Sequence, residues 1–120
     1  MPNDADTALH YRLLKLIEER PEISQRELAR ELGLSLGKIN YCLKAFISRG
    51  LVKVNNFRRS DNKLAYAYLL TPQGMEEKAR VTLRFFQRVQ AEYEALQAEV
   101  ERLAREREGL EAAAEAREEQ

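Results

Sequence analysis

Six residues within one ten-residue run, Ser35, Gly37, Lys38, Asn40, Tyr41 and Lys44, carry most of the chain's capacity for specific chemistry. The lysine ammoniums donate hydrogen bonds, and the Asn40 carboxamide offers a donor and an acceptor side by side. Tyr41 can act in either sense, and Gly37 leaves room for close backbone approach. These are the groups of hydrogen-bonded recognition. Catalysis has no comparable set. There is no nucleophile–base pair and no phosphate loop, and the single histidine, His10, and the single cysteine, Cys42, are too few for a zinc site. No enzyme activity, cofactor or metal is expected, and one cysteine excludes an intrachain disulfide.

The same six residues match what the DNA major groove presents. Lysine donates to guanine O6 and N7, and asparagine pairs with both hydrogen-bonding groups on the exposed edge of adenine. Lys38 and Asn40 are the candidates for those two contacts, and Tyr41 suits a thymine methyl or a phosphate. Lys44, and Gln25 upstream, suit phosphates, which fix position but carry no sequence information. Arg58, Arg59 and Lys63 make a second basic group, fit for phosphates or for a narrow minor groove. Taken alone, such residues describe an ordinary solvated helix and a charged turn. Their meaning depends on the elements that carry them.

From Ser24 to Gly50 the chain reads SQRELARELGLSLGKINYCLKAFISRG. Ser24 with Glu27 three positions later is a capping box, Leu28 and Leu32 supply an apolar stripe, and Gly33 ends this first helix. Ser35 then caps a second helix running to Arg49 and ending at Gly50. Ile39, Leu43 and Phe46 line its inner face, with Cys42 and Ile47 at the margins. Two short helices and a tight turn make a helix-turn-helix, with the six recognition residues on the outer face. An earlier helix, capped by Asp6 or Thr7, buries Leu9, Leu13, Leu16 and Ile17 and stops before Pro21, while residues 2–6 fray. His10 on that helix is expected to be an ordinary surface or dimer-edge residue, and Cys42 to be packing.

Beyond Gly50 the period falls to about two. LVKV and LAYAYLL read as strands, and NNFRRSDNK between them as a turn. The result is a hairpin with a basic tip, in which Tyr66 and Tyr68 serve strand packing. Thr71-Pro72 starts a final helix. Along it Phe86, Val89, Tyr93, Leu96, Val100 and Leu103 alternate at three- and four-residue steps, the seam of a coiled coil that pairs two copies. The last ten residues have little to bury and are expected to fray. The fold class is therefore mainly α with a small β-hairpin wing: a winged helix-turn-helix over residues 1–71, followed by a long C-terminal coiled-coil dimerisation helix over residues 72–120.

Charge follows the same division. The chain has 20 basic and 20 acidic residues, but residues 35–63 hold seven Lys or Arg against Asp61 alone, a net of +6. Residues 90–120 hold four Arg and ten Glu, a net of −6. A basic block beside an acidic one points to a phosphate-facing surface on one side only. No window approaches the ~20 apolar residues of a membrane span, and no signal segment is visible, so a soluble cytoplasmic protein is expected.

The run LSLGKINYCLKAFISRGLVKV from Leu34 to Val54, with LLTPQG at Leu69 to Gly74, resembles the MarR family of winged-helix regulators. NNFRRSDNKLAYAYLLTPQGMEEKA and the following TLRFFQRVQAEYEAL are similar to its subgroup of EPS-associated transcriptional regulators. The likeness extends over roughly residues 8–104. It implies a dimeric bacterial regulator tied to exopolysaccharide genes, with DNA-reading positions at Ser35, Gly37, Lys38, Asn40, Tyr41 and Lys44 and wing arginines at Arg58 and Arg59. The family's aspartate-x-arginine in the wing stands here as Asp61-Asn62-Lys63, shifted by one residue. The longer paired terminal helices that frame a ligand pocket in the family are missing, which argues against a small-molecule effector. The expectation is a sequence-specific DNA-binding homodimer on a two-fold-related operator. The alternative is an interaction adaptor, a winged helix holding a protein partner beside an acidic coil whose Glu92, Glu99 and Glu106 lack opposite charges at Gln90, Gln97 and Ala104.

Overall fold

The computed structural model describes residues 4–119. Six elements follow in order: α1 (Asp4–Glu19), α2 (Gln25–Leu32), α3 (Leu36–Ser48), β1 (Val52–Arg58), β2 (Leu64–Leu70) and α4 (Pro72–Glu118). Two compact units result, Met1–Phe85 and Phe86–Gln120. The fold is a winged helix-turn-helix followed by a long helix, mainly α with one two-stranded antiparallel sheet.

Local chemistry accounts for the helix pair. Ser24 Oγ accepts from the Glu27 backbone N–H at 3.1 Å, and Ser35 Oγ accepts from that of Lys38 at 3.1 Å, each satisfying one of the amides a helix start leaves without a partner. Such a cap contributes about 1 kcal/mol. Between the helices Gly33 turns the chain at φ 66°, in the left-handed region that costs a side-chain-bearing residue most. Ile39, Cys42, Leu43 and Phe46 then face inward from α3.

The core of the first unit gathers Leu13, Leu14 and Ile17 of α1, Leu28 of α2, the inner face of α3, and Leu51, Val52 and Tyr68. Leu14 is fully buried although it lies outside the expected stripe of Leu9, Leu13, Leu16 and Ile17. The reason is that α1 is covered on more than one side: Tyr11 stacks on Phe85 of α4 at 5.0 Å, and Lys78 of α4 pairs with Glu18 at 2.7 Å. A helix covered twice buries more than one stripe.

Four expectations need correction. Helix α1 starts at Asp4, so Asp6 and Thr7 lie inside it, and Thr7 is buried instead of capping. Of the residues expected to fray, 2 and 3 lie outside the described residues and 4–6 are helical; at the other end α4 stays helical through Glu118 because Ala and Glu favour helix without burial. Asn55, Asn56 and Phe57 belong to β1 and not to the turn. Seven residues of β2 need seven partners, and the register runs from Val52 opposite Leu70 to Arg58 opposite Leu64. The turn is confined to residues 59–63. Ile47, placed at the margin of the buried stripe, is 39% exposed.

In the second unit, α4 carries Phe86, Val89, Tyr93, Leu96, Val100 and Leu103 with 42–64% of their surfaces exposed, an apolar row left open among the described residues. Arg88 with Glu92, Arg102 with Glu99, and Arg107 with Glu111 form ion pairs along the helix. Among the described residues no helix is long and apolar enough to cross a membrane.

Candidate nucleic-acid interface

Helix α3 sorts its residues by period. With Ile39, Cys42, Leu43 and Phe46 buried, Ser35, Gly37, Lys38, Tyr41 and Lys44 are left exposed and Asn40 half-buried. The outer face is ordered from within. Lys38 Nζ sits 5.6 Å from the centroid of the Tyr41 ring, a cation–π contact that holds the ammonium beside the phenol, and Tyr41 is 69% exposed. A β-carbon at Gly37 would meet only Ser35 Oγ, at 4.0 Å, so nothing in the fold requires glycine there.

Asn40 differs from its neighbours. Its Nδ2 donates to Gln25 Oε1 at 3.3 Å, and Gln25 Nε2 donates to the Tyr68 hydroxyl at 3.0 Å. Tyr68 is only 7% exposed, and its backbone N–H donates to the Pro21 carbonyl at 2.9 Å. From sequence, Gln25 is expected on a phosphate and Tyr68 in strand packing. Tyr68 does pack in the core, but its hydroxyl also ends a side-chain chain that reaches the outer face of α3. No periodicity signals a bond between residues 43 positions apart.

The wing tip is a built turn. The Asn62 N–H donates to the Arg59 carbonyl at 2.8 Å, and the Arg59 N–H to the Lys63 carbonyl at 2.9 Å. Asp61 Oδ1 accepts from the Lys63 N–H at 3.1 Å, while Asn62 adopts φ 64°, which asparagine tolerates better than most residues. Arg58 donates to the Asn62 carbonyl at 3.3 Å, and Arg59 lies 3.9 Å from Asp61. Both arginines remain exposed beside Lys63. An exposed pair such as Arg59–Asp61 holds its partners weakly, so Arg59 can exchange Asp61 for a phosphate at little cost.

Behind α3, His10 meets the Phe46 ring edge-on at 5.3 Å. Burial pulls its pKa below the ordinary value near 6.5; Asp6 opposes this and Arg49 reinforces it. His10 is therefore a half-buried packing partner and not a plain surface residue. Burial pushes the Cys42 thiol up, with Lys38 opposing, so Cys42 stays a neutral thiol in the core.

Three helices, a polar face on the third and a basic hairpin define a winged helix-turn-helix module. Residues 6–53 match the family model described as winged helix-turn-helix DNA-binding. Among solved structures, the chain is similar to a PadR-like transcriptional regulator from Bacillus cereus, with 20% identity over 75% of this chain and 92% of that one and a TM-score of 0.67. A transcriptional regulator homologue from Pyrococcus horikoshii is 19% identical over 72% of this chain and 83% of that one, with a TM-score of 0.53. A zinc-dependent MarR family regulator is 20% identical over 73% of this chain but only 57% of its own length, with a TM-score of 0.52. At these identities the likeness is one of fold. No curated protein matches by sequence.

Proposed function

We propose that this chain is a sequence-specific DNA-binding transcriptional regulator that acts as a cytoplasmic homodimer on a two-fold-related operator, with no catalytic activity of its own. The observation that carries the reading is the solvent-facing surface of α3: Lys38, Asn40, Tyr41 and Lys44 stand together on the helix that a winged module inserts into the major groove, with Arg58, Arg59 and Lys63 in the wing after it. Residues 1–71 serve as the DNA-binding part and residues 72–120 as the dimerisation helix. Support for the dimer is the uncovered row Phe86, Val89, Tyr93, Leu96, Val100 and Leu103, whose spacing is that of a helix pairing seam. Two copies would read half-sites about 34 Å apart or a multiple of it.

Support for exopolysaccharide biosynthesis genes as targets is the resemblance of the wing and LLTPQG to the MarR family's EPS-associated subgroup. The test is selection of bound fragments from genomic DNA at low and physiological salt. A recurring pseudo-palindrome upstream of such genes is the expected result. Fragments without a shared site would remove sequence specificity, and no binding even at low salt would favour the adaptor reading, which draws on the exposed glutamates of α4.

A further inference from the structure

Gln25, Asn40 and Tyr68 come from three elements and form one hydrogen-bonded chain. Its inner end is fixed, because Tyr68 is buried and its backbone is tied to Pro21. Its outer end is a half-buried carboxamide on the outer side of α3. A free asparagine side chain turns readily and has two ends of opposite hydrogen-bonding sense. Reading adenine needs both ends in one arrangement, the oxygen accepting from N6 and the nitrogen donating to N7.

We propose that Gln25 is a positioning residue that holds the Asn40 carboxamide in place, with Tyr68 as its anchor, and that this chain is what makes Asn40 selective for adenine. The proposal rests on the DNA-binding reading above and deepens it. Asn40 Nδ2 has two hydrogens, and donation to Gln25 Oε1 uses one. The second hydrogen and Oδ1 remain, which is the pair adenine requires. With Nε2 on the Tyr68 hydroxyl, Gln25 Oε1 faces Asn40 and accepts from it, so the buried tyrosine holds the Gln25 side chain in place against Asn40. Gln25 is thereby an organiser of a base contact, and the second hydrogen of its Nε2 stays available to a phosphate.

The experiment compares binding to the selected operator with binding to copies altered at each base pair, for wild type, Asn40→Ala, Gln25→Ala, Tyr68→Phe and Gln25→Glu, each checked by thermal melting. A bidentate contact discriminates by roughly 5- to 150-fold. Asn40→Ala should abolish preference for adenine at one position per half-site. Gln25→Ala and Tyr68→Phe should cut the preference at that same position by about tenfold, with affinity for unrelated DNA within about twofold of wild type. Tyr68→Phe keeps the ring and so isolates the hydroxyl. Gln25→Glu should retain the preference, since a carboxylate can accept from both Asn40 and the Tyr68 O–H, while its charge weakens binding to all DNA. The proposal is overturned if Gln25→Ala keeps full discrimination, if it weakens every sequence equally, or if Asn40→Ala changes no base preference. Wild-type protein that binds no DNA at low salt would instead remove the underlying reading, and the proposal with it.

Discussion

Gly74 lies against the backbone of Leu51 so closely that a β-carbon there would stand 2.0 Å from the Leu51 carbonyl oxygen and 3.0 Å from its carbonyl carbon. Thr71 completes the junction. Its N–H donates to the Leu51 carbonyl at 3.0 Å, its hydroxyl donates to the Gly50 carbonyl, and its Oγ1 accepts from the Gly74 N–H at 3.0 Å. The start of α4 is thereby locked to the end of α3. Because the obstacle is backbone, Gly74→Ala must move α4 or Leu51. We expect it to cost about 3 kcal/mol or more, at the upper end for overpacking. Urea unfolding reads the effect as a lowered midpoint with an unchanged slope. A midpoint equal to wild type would mean that the junction is loose.

His10 makes stability depend on pH in one direction. Burial lowers its folded pKa below 6.5, with Asp6 and Glu77 opposing and Arg49 and Lys38 reinforcing the shift. The unfolded chain therefore takes up the proton more readily, so stability is present above about pH 6.5 and is lost as pH falls below it. His10→Gln should flatten the dependence between about pH 6.5 and 5, where carboxylates contribute least. Thermal melting across that range provides the measurement. An unchanged pH profile in the variant would assign the dependence to other groups.

The helix-turn-helix was legible because each boundary has a local cause: Ser24 with Glu27, Gly33 at positive φ, and Ser35 with the Lys38 amide all act within four residues. The hairpin was only partly legible. Asn55 and Asn56 carry turn chemistry, but their partners Ala67 and Tyr66 hold them in the sheet. Pairing with a strand ten or more residues away outweighed local propensity. The apolar row from Phe86 to Leu103 could be read from spacing alone, whereas the Gln25–Asn40–Tyr68 chain could not, because it joins residues brought together only by folding.

The outer face of α3 and the wing should fail differently. Lys38→Ala removes a candidate base contact and should cost about 1–3 kcal/mol on the operator while relaxing preference at one base pair. Arg58→Ala with Arg59→Ala removes two charges from the exposed turn and should weaken every DNA sequence alike. It should also lower the slope of log affinity against log salt by about two. Titrations of operator and random duplex over a salt series separate the two. If neither variant differs from wild type, DNA does not lie on this face.

In the second unit, Leu96 and Val100 sit four residues apart in the exposed row, 61% and 63% accessible, with most of their surface left open among the described residues. Exposed apolar side chains repeated along one face of a helix mark an interaction surface, and burying each of them against a second copy would contribute roughly 1–2 kcal/mol. Replacing both by Glu puts charge into the middle of the seam, where a pair of helices would have to desolvate it at several kcal/mol per ion. Helicity should survive, because glutamate is a good helix former and α4 already has Glu at many exposed positions. Sedimentation should then show dimer for wild type and monomer for Leu96→Glu with Val100→Glu at equal helical content. Operator affinity should fall by far more than affinity for a single half-site, since only the dimer gains from two linked contacts. A variant that remains dimeric would move the interface off this row and leave the exposed seam to another partner.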